Sequence, residues 1–146
     1  MDPSLLKYLV RLVHTGAAAF MVGGAVLVWA QLAVGSGGAE AEPGAWPAAL
    51  ARRYEWGFWP AVGLLAMTGI GNLAVFGAAL PGGQTDWGGR LLLKLAVVGV
   101  LAVFSAWRTL VVARGAEDIG TVQSLYAGTA VLALIVLGLA VWLAHP

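Results

Sequence analysis

Residues 122–144 read VQSLYAGTAVLALIVLGLAVWLA, a stretch without a single charged side chain. A helix needs about 20 mainly apolar residues to cross the hydrocarbon core, and backbone groups in lipid must hydrogen-bond within their own segment. This stretch therefore predicts a transmembrane helix. Stretches of the same character run over about 5–34, 54–80 and 90–114. The sequence predicts an all-α fold, an integral membrane four-helix bundle that forms a single transmembrane domain over residues 1–146.

The composition supports this prediction and excludes several classes of protein. The 146 residues are 60% hydrophobic and only 10% charged, with a mean hydropathy of +0.87. In a soluble domain, roughly a quarter of the residues are charged. The net charge of +1 predicts no nucleic-acid partner, and the absence of cysteine excludes disulfides and thiolate metal sites. We expect a multi-pass protein in the lipid bilayer of a cell membrane, with the prokaryotic inner membrane as the expected location.

The two faces of the membrane are distinguished by where the helices begin. We name side A the side on which the first and third spans begin, and side B the other. Lysine and arginine divide equally between the sides, so the positive-inside rule gives no orientation. Tryptophan and tyrosine predict interfacial belts, with Tyr8, Trp87 and Trp142 on side A and Trp29, Tyr54, Trp56, Trp59, Trp107 and Tyr126 on side B. Glycine-rich helix faces favour close packing and a homo-oligomer or a larger membrane complex.

Polar side chains at membrane depth are few. An ionisable group there costs at least about 2.5 kcal/mol, so it needs a partner or a function. His14 lies about three turns into the first span and is the only histidine within a span. It is either a satisfied core residue or a ligand for a metal or a haem.

Other polar groups reach a similar depth when counted from side A. Lys94 in the third span either snorkels to the interface or faces the bundle and binds an anion. Asn72 and Thr68 share one face of the second span, and Arg11 precedes His14 by one turn. This convergence from three helices predicts a cofactor-binding site that contains His14, Lys94, Asn72 and Arg11.

Further candidates for ligands are weaker. Met21 lies seven residues after His14 on the same helix face, and Met67 lies in the second span. With His14, either thioether provides a donor set that suits haem iron or copper, although methionine more often fills gaps in a core. Near side B, Arg108 is expected either to pair with Glu55 or to bind haem propionates.

Short motifs in three spans resemble those of the CopD-like copper-resistance and HemJ-like protoporphyrinogen-oxidase membrane proteins: His14-Thr15-Gly16 with Gly23-Gly24, then Thr68-Gly69, then GRLLLKL at 89–95. In the HemJ-like branch the first-helix histidine binds haem b and the lysine is functionally important. The resemblance implies these roles for His14 and Lys94. Because no other histidine lies within a span, the sixth iron position would fall to Met67, Met21, Lys94, water or a second subunit.

Three functions remain open at this point. The first is a membrane-embedded b-type haem protein, a haem-dependent oxidoreductase or electron carrier that works with a quinone or a porphyrinogen. The second is a CopD-like copper transport or resistance protein. The third is a cofactor-free accessory subunit of a respiratory complex.

Overall fold

The computed structural model describes residues 3–35, 45–77, 85–115 and 118–144, which form four helices. These are α1 (Pro3–Gly35), α2 (Ala45–Gly77), α3 (Thr85–Ala113) and α4 (Ile119–Ala144). The described ranges contain no strand. The predicted all-α membrane fold is therefore confirmed.

Helix α2 differs most from its predicted bounds. It begins at Ala45, well before the predicted start at residue 54. The reason is its opening sequence, AWPAALARR, which is rich in alanine and arginine, and both residue types strongly favour helix. The predicted end at residue 80 lies outside the described residues.

Three of the described helices are long and apolar enough to cross a membrane, over Ser4–Val34, Gly88–Ala113 and Ile119–Leu143. The apolar stretch of α2 predicted over 54–80 continues past the last described residue of that helix. Large apolar side chains such as Leu92, Val103 and Ile70 are at least 70% exposed on the outside of the bundle. Such a surface suits lipid, and we treat the chain as a multi-pass membrane protein.

The helices are arranged as a ring in which α1 packs against α2 and α4, and α3 packs against α4. Among the four neighbouring pairs, α2 and α3 pack least extensively. The core between the helices is closed by Ala25, Val28, Phe58 and Tyr126, all of which are at most 1% exposed. This core lies toward side B, so the two ends of the bundle differ in packing.

Aromatic rings that pack against glycines of a neighbouring helix allow the helices to approach closely. The ring of Tyr54 lies against Gly24, that of Phe20 against Gly57, and that of Phe104 against Gly128. The first two contacts join α1 to α2, and the third joins α3 to α4. We call them glycine notches, because a side chain at each glycine would overlap the ring.

The notch at Gly24 gives a testable prediction. A Cβ there would come within 2.7 Å of Tyr54 Cδ2, and Tyr54 is held in place because its hydroxyl donates to the Met21 carbonyl at 2.7 Å. We expect Gly24→Ala to lower the free energy of unfolding by about 1–3 kcal/mol, as overpacking does. The matched control is Gly23→Ala, where a Cβ meets nothing described within 4 Å. Unfolding in mixed micelles measures both, and equal stability of the two variants would contradict the notch.

The start of α4 is fixed by Asp118. Its carboxylate accepts hydrogen bonds from the Thr121 hydroxyl, the Gly120 N–H at 3.0 Å and the Thr121 N–H at 3.1 Å. These bonds lower the pKa of Asp118 below its usual 3.8, with the Thr121 hydroxyl as the largest cause. The side chain is therefore a deprotonated N-cap at neutral pH.

A depressed pKa means that the cap stabilises the fold above pH 3.8 and loses its effect as the pH falls through the lowered value. We expect Asp118→Ala to lower the thermal midpoint slightly at neutral pH, and this difference from the wild type to shrink in acid. Asp118→Asn keeps a capping oxygen and should behave like the wild type at neutral pH. A deficit of Asp118→Ala that stays constant from neutral pH into acid would rule out the capping carboxylate.

Only some of the aromatic side chains predicted for the side B interface lie on the outside of the bundle. Trp56 and Trp107 are 84% and 60% exposed, as expected for side chains that face the interface. Tyr54 and Tyr126, which the sequence places in the same belt, are instead buried at 5% and 0%. The prediction was wrong for both tyrosines because their hydroxyls find partners inside the bundle.

Candidate functional site

The His14 ring is held by a threonine of the neighbouring helix. Its Nδ1 lies 2.7 Å from the Thr68 Oγ1, and that hydroxyl lies 2.5 Å from the Leu64 carbonyl. A hydroxyl has one hydrogen, and the carbonyl is its nearest acceptor, so the Thr68 oxygen accepts from His14. The ring then carries its proton on Nδ1, and Nε2 keeps a free lone pair. A second partner that fixes the tautomer in this way is typical of a metal-ligating histidine.

The dipeptide Thr68-Gly69 lies against the ring. Thr68 provides the acceptor, and a Cβ at Gly69 would make an ordinary contact with His14 Cε1 at 3.8 Å. The ring is half-buried against α2 rather than exposed to lipid. His14 is therefore oriented by α2 although it belongs to α1.

Lys94 is the charged group of this site. It lies half-buried on α3, and its ammonium acts electrostatically on His14. No hydrogen bond or ion pair to Lys94 is found within the described residues. A half-buried ammonium without such a partner in a membrane bundle is suited to an anionic ligand.

The other predicted site residues are placed as follows. Arg11 is exposed on α1, and its carbonyl accepts the Thr15 hydroxyl. Met21 is buried at 6% exposure two turns below His14, whereas Met67 is 74% exposed on the outside of the bundle. The side chain of Asn72 lies outside the described part of the structure. The structure thus joins His14 to Thr68 by a hydrogen bond, with Lys94 within electrostatic range of the ring, and it does not bring Met67 into the interior.

A second polar cluster lies toward side B, around Arg108. Its Nε and Nη2 donate to Glu55 Oε1 and Oε2 at 2.7 and 3.2 Å, and its Nη1 donates to Thr129 Oγ1 at 2.7 Å. Arg108 is 0% exposed and Glu55 8%. Of the two partners expected for Arg108, the structure shows Glu55, and the pair is buried rather than interfacial. With all three nitrogens bound inside the protein, this geometry does not offer Arg108 to a propionate.

The ion pair is enclosed by further side chains that sequence reasoning missed. Tyr126 and Thr109 hydroxyls donate to Glu55 at 2.8 and 2.5 Å, so that four donor atoms face its two oxygens. The Arg108 guanidinium lies 4.4 Å from the Phe58 ring centre and 4.8 Å from that of Tyr126. We name Glu55, Arg108, Thr109, Tyr126 and Thr129 the side B clamp. The hydroxyl residues spaced along α3 and α4 near Arg108 are the sequence feature from which these hydrogen bonds could have been predicted.

A bare metal ion finds few protein ligands here. Within the described ranges, no group of three or more His, Cys, Asp or Glu side chains is placed to hold a metal. Among these residues His14 is thus the single imidazole donor. A cofactor that needs one protein ligand fits this donor set better than a multidentate ion site does.

Comparison with known proteins identifies the family. The family described as copper resistance protein D matches residues 48–143, which is well over half of the chain. No curated protein and no solved structure shows a significant match. The matched range covers most of α2, all of α3 and nearly all of α4. It includes Glu55, Thr68, Lys94 and Arg108, whereas His14 lies before it. The chain therefore belongs to the copper resistance protein D family of multi-pass membrane proteins.

Proposed function

We propose that this chain is a membrane haem protein of the copper resistance protein D family, in which His14 Nε2 would bind the iron of haem b. The observation that carries the proposal is the His14 ring, whose Nδ1 is fixed by Thr68 beside a Lys94 ammonium that has no partner among the described residues. Haem would supply one-electron chemistry at the iron, for electron transfer with a quinone or for oxidation of a porphyrinogen.

The protein's own residues would have distinct roles. Thr68 keeps the imidazole in the tautomer that leaves Nε2 unprotonated. Lys94 would pair with a carboxylate of the ligand. Apolar side chains of the bundle would keep water away, and this dryness together with the imidazole ligand would set the redox potential.

The charge of Lys94 also discriminates between ligands. A positive group within electrostatic range of the imidazole would repel a bare copper ion, and this repulsion is stronger where water is scarce. The same group attracts a ligand with carboxylates. For this reason the geometry favours haem over a bare ion at His14.

Copper handling is the second candidate, and the family match favours it. In this case copper would be a substrate that passes the membrane. His14 and the buried Met21 lie on one face of α1 and offer donors that suit Cu(I).

One preparation separates these functions. The full chain is expressed with a haem precursor, purified in detergent, washed with a chelator, and examined by visible absorption, a pyridine haemochrome assay and metal analysis. A Soret band with about one haem per chain supports the first proposal. Stoichiometric copper without haem supports the second. A colourless, metal-free protein after haem supplementation contradicts both and leaves the cofactor-free accessory subunit.

The Thr68 hydroxyl provides a prediction about haem affinity. In Thr68→Val the imidazole loses its Nδ1 acceptor, so both its orientation and its basicity are less well fixed. Loss of such a partner typically lowers affinity by about 10–100-fold. Haem titration of the purified variant measures this effect. Thr15→Val is the matched control, because the Thr15 hydroxyl donates to the Arg11 carbonyl of its own helix and not to His14; equal affinities in the two variants would exclude the role of Thr68.

A further inference from the structure

Two side chains that can lose one electron direct their protons to the same carboxylate. The Tyr126 hydroxyl has one hydrogen, and its nearest acceptor is Glu55 Oε1 at 2.8 Å rather than the Ala51 carbonyl at 3.2 Å. Trp59 Nε1 donates to the Thr109 hydroxyl at 3.1 Å, and that hydroxyl donates to Glu55 Oε2 at 2.5 Å. A phenol therefore reaches one oxygen of Glu55 directly, and an indole reaches the other oxygen through one hydroxyl.

The rings of the phenol and the indole are joined by a continuous series of aromatic contacts. Ring centres lie 5.4 Å apart for Trp59 and Phe58, 5.6 Å for Phe58 and Tyr54, and 5.6 Å for Tyr54 and Tyr126. These distances are typical of directly packed aromatic pairs. Tyr126 is 0% exposed, whereas Trp59 is 39% exposed on the outside of α2. The series therefore links a ring in the core to the surface of the bundle.

The hydroxyl of Tyr54 has a different kind of partner, although its ring lies in the same series. It donates to the Met21 carbonyl at 2.7 Å. A phenol that loses an electron becomes a strong acid, and it gives a stable neutral radical only where a base accepts its proton. A backbone carbonyl is not such a base, whereas a carboxylate within hydrogen-bond distance is. Of these two core tyrosines, only Tyr126 therefore has the partner that one-electron oxidation requires.

Arg108 keeps this proton acceptor ionised in the resting protein. Its Nε and Nη2 donate to the two oxygens of Glu55. A buried ion pair is often no more stable than apolar side chains of similar size, so stability alone is a weak reason for its presence, and ionisable groups inside a membrane bundle commonly mark functional sites. Because Arg108 favours the carboxylate form, a proton that reaches Glu55 returns to the phenol oxygen when the radical is reduced. The step is therefore reversible.

We propose that Tyr126 is a redox-active tyrosine with Glu55 as its proton acceptor, and that Trp59 connects it to one-electron oxidants at the side B surface. An oxidised metal complex takes one electron from Trp59 and is thereby reduced, and the indole regains an electron from Tyr126 through the aromatic series. The Tyr126 O–H bond breaks, the proton binds to Glu55 Oε1, and a neutral tyrosyl radical remains. This activity does not depend on haem at His14, so it is tested without haem.

The test places the oxidant next to Trp59. The chain has no cysteine and three tyrosines, so a thiol label attaches only where cysteine is introduced, and each tyrosine can be replaced in turn. Trp56→Cys puts a ruthenium polypyridyl label at an 84% exposed position, about one helical turn from Trp59. A light flash with a soluble quencher converts this label into a one-electron oxidant. Electron paramagnetic resonance and transient absorption then identify the radicals, and we expect a neutral tyrosyl radical.

Three single variants of the labelled protein assign this radical to one residue. Tyr126→Phe keeps the ring and removes the phenol, so we expect loss of the tyrosyl signal. Tyr54→Phe is the matched control within the same aromatic series, and Tyr8→Phe removes a 66% exposed tyrosine near the side A end of α1; both should retain the signal. A tyrosyl signal that persists in Tyr126→Phe, or that is absent from the labelled protein before any tyrosine is replaced, overturns the proposal.

The role of Glu55 is tested by Glu55→Gln, which removes the proton acceptor and keeps the shape of the side chain. We expect loss of the neutral tyrosyl radical, and an undiminished signal would overturn the assignment of Glu55.

A second variant covers the case in which Glu55→Gln does not fold. In Tyr126→Phe the oxidation stops at Trp59, whose radical is expected in its deprotonated form because Thr109 passes the proton to Glu55. Adding Thr109→Val keeps the ion pair and interrupts this bond, so the indole radical should change to the protonated form. The same form of the indole radical with and without Thr109→Val would exclude Glu55 as the shared acceptor.

Discussion

Replacing His14 by alanine is expected to abolish haem binding while leaving a folded four-helix protein. His14 is the only histidine within a described helix, and its Nε2 is the imidazole nitrogen left free by the bond to Thr68. No other described side chain supplies an imidazole to replace it. The ring is half-buried against α2, so its removal costs less packing than loss of a fully buried residue does.

The measurement is the haem content per chain after purification, together with the elution volume that reports the folded state. His145→Ala is the control, because it removes the other histidine of the chain. Imidazole added to His14→Ala should restore part of the haem spectrum by occupying the space of the lost ring. Unchanged haem content in His14→Ala would remove this residue from the proposed function.

Replacing Arg108 by alanine is expected to give the largest loss of stability. The change leaves the Glu55 carboxylate at 8% exposure without its guanidinium, and it removes the cation that the rings of Phe58, Tyr54 and Tyr126 surround. Breaking a buried pair by removing one partner typically costs about 3–5 kcal/mol. Unfolding in mixed micelles of detergent and SDS measures the difference in the free energy of unfolding.

Two controls separate the buried charge from a general effect of removing arginine. Arg53→Ala removes an exposed arginine of α2 and should change stability by no more than about 0.5 kcal/mol. The double variant Glu55→Leu with Arg108→Met replaces both charges by apolar groups and should recover much of the loss. If Arg108→Ala were as stable as Arg53→Ala, the buried pair would contribute little to the free energy of unfolding.

The sequence was sufficient for the helices because each one is a long apolar run that lipid forces into a helix. Counting residues along each helix also predicts that His14, Lys94, Asn72 and Arg11 lie at a similar depth, and the hydrogen bond from His14 to Thr68 joins the first two helices in the side A half of the bundle. The rotation of each helix about its axis does not follow from that count. Met67 shows this limit, because it lies next to Thr68 in sequence but is 74% exposed.

The side B clamp shows a second limit. Counting from the helix ends places Arg108 and Tyr126 near an interface, where both residue types commonly occur. The structure buries both at 0% exposure, because Glu55 of α2 accepts hydrogen bonds from both side chains and Thr129 of α4 accepts one from Arg108. Pairing among helices distant in sequence sets this burial, and a single sequence does not reveal it.

The positions of the glycine notches have a consequence for the order of events during synthesis. Two of them join α1 to α2 and one joins α3 to α4, which are pairs that leave the ribosome one after the other. Each pair is thus an antiparallel hairpin that has its own docking points as soon as its second helix is inserted. The ion pair joins α2 to α3, and the bonds from Tyr126 and to Thr129 that complete the side B clamp come from α4. The complete clamp can therefore form only after the second hairpin is inserted.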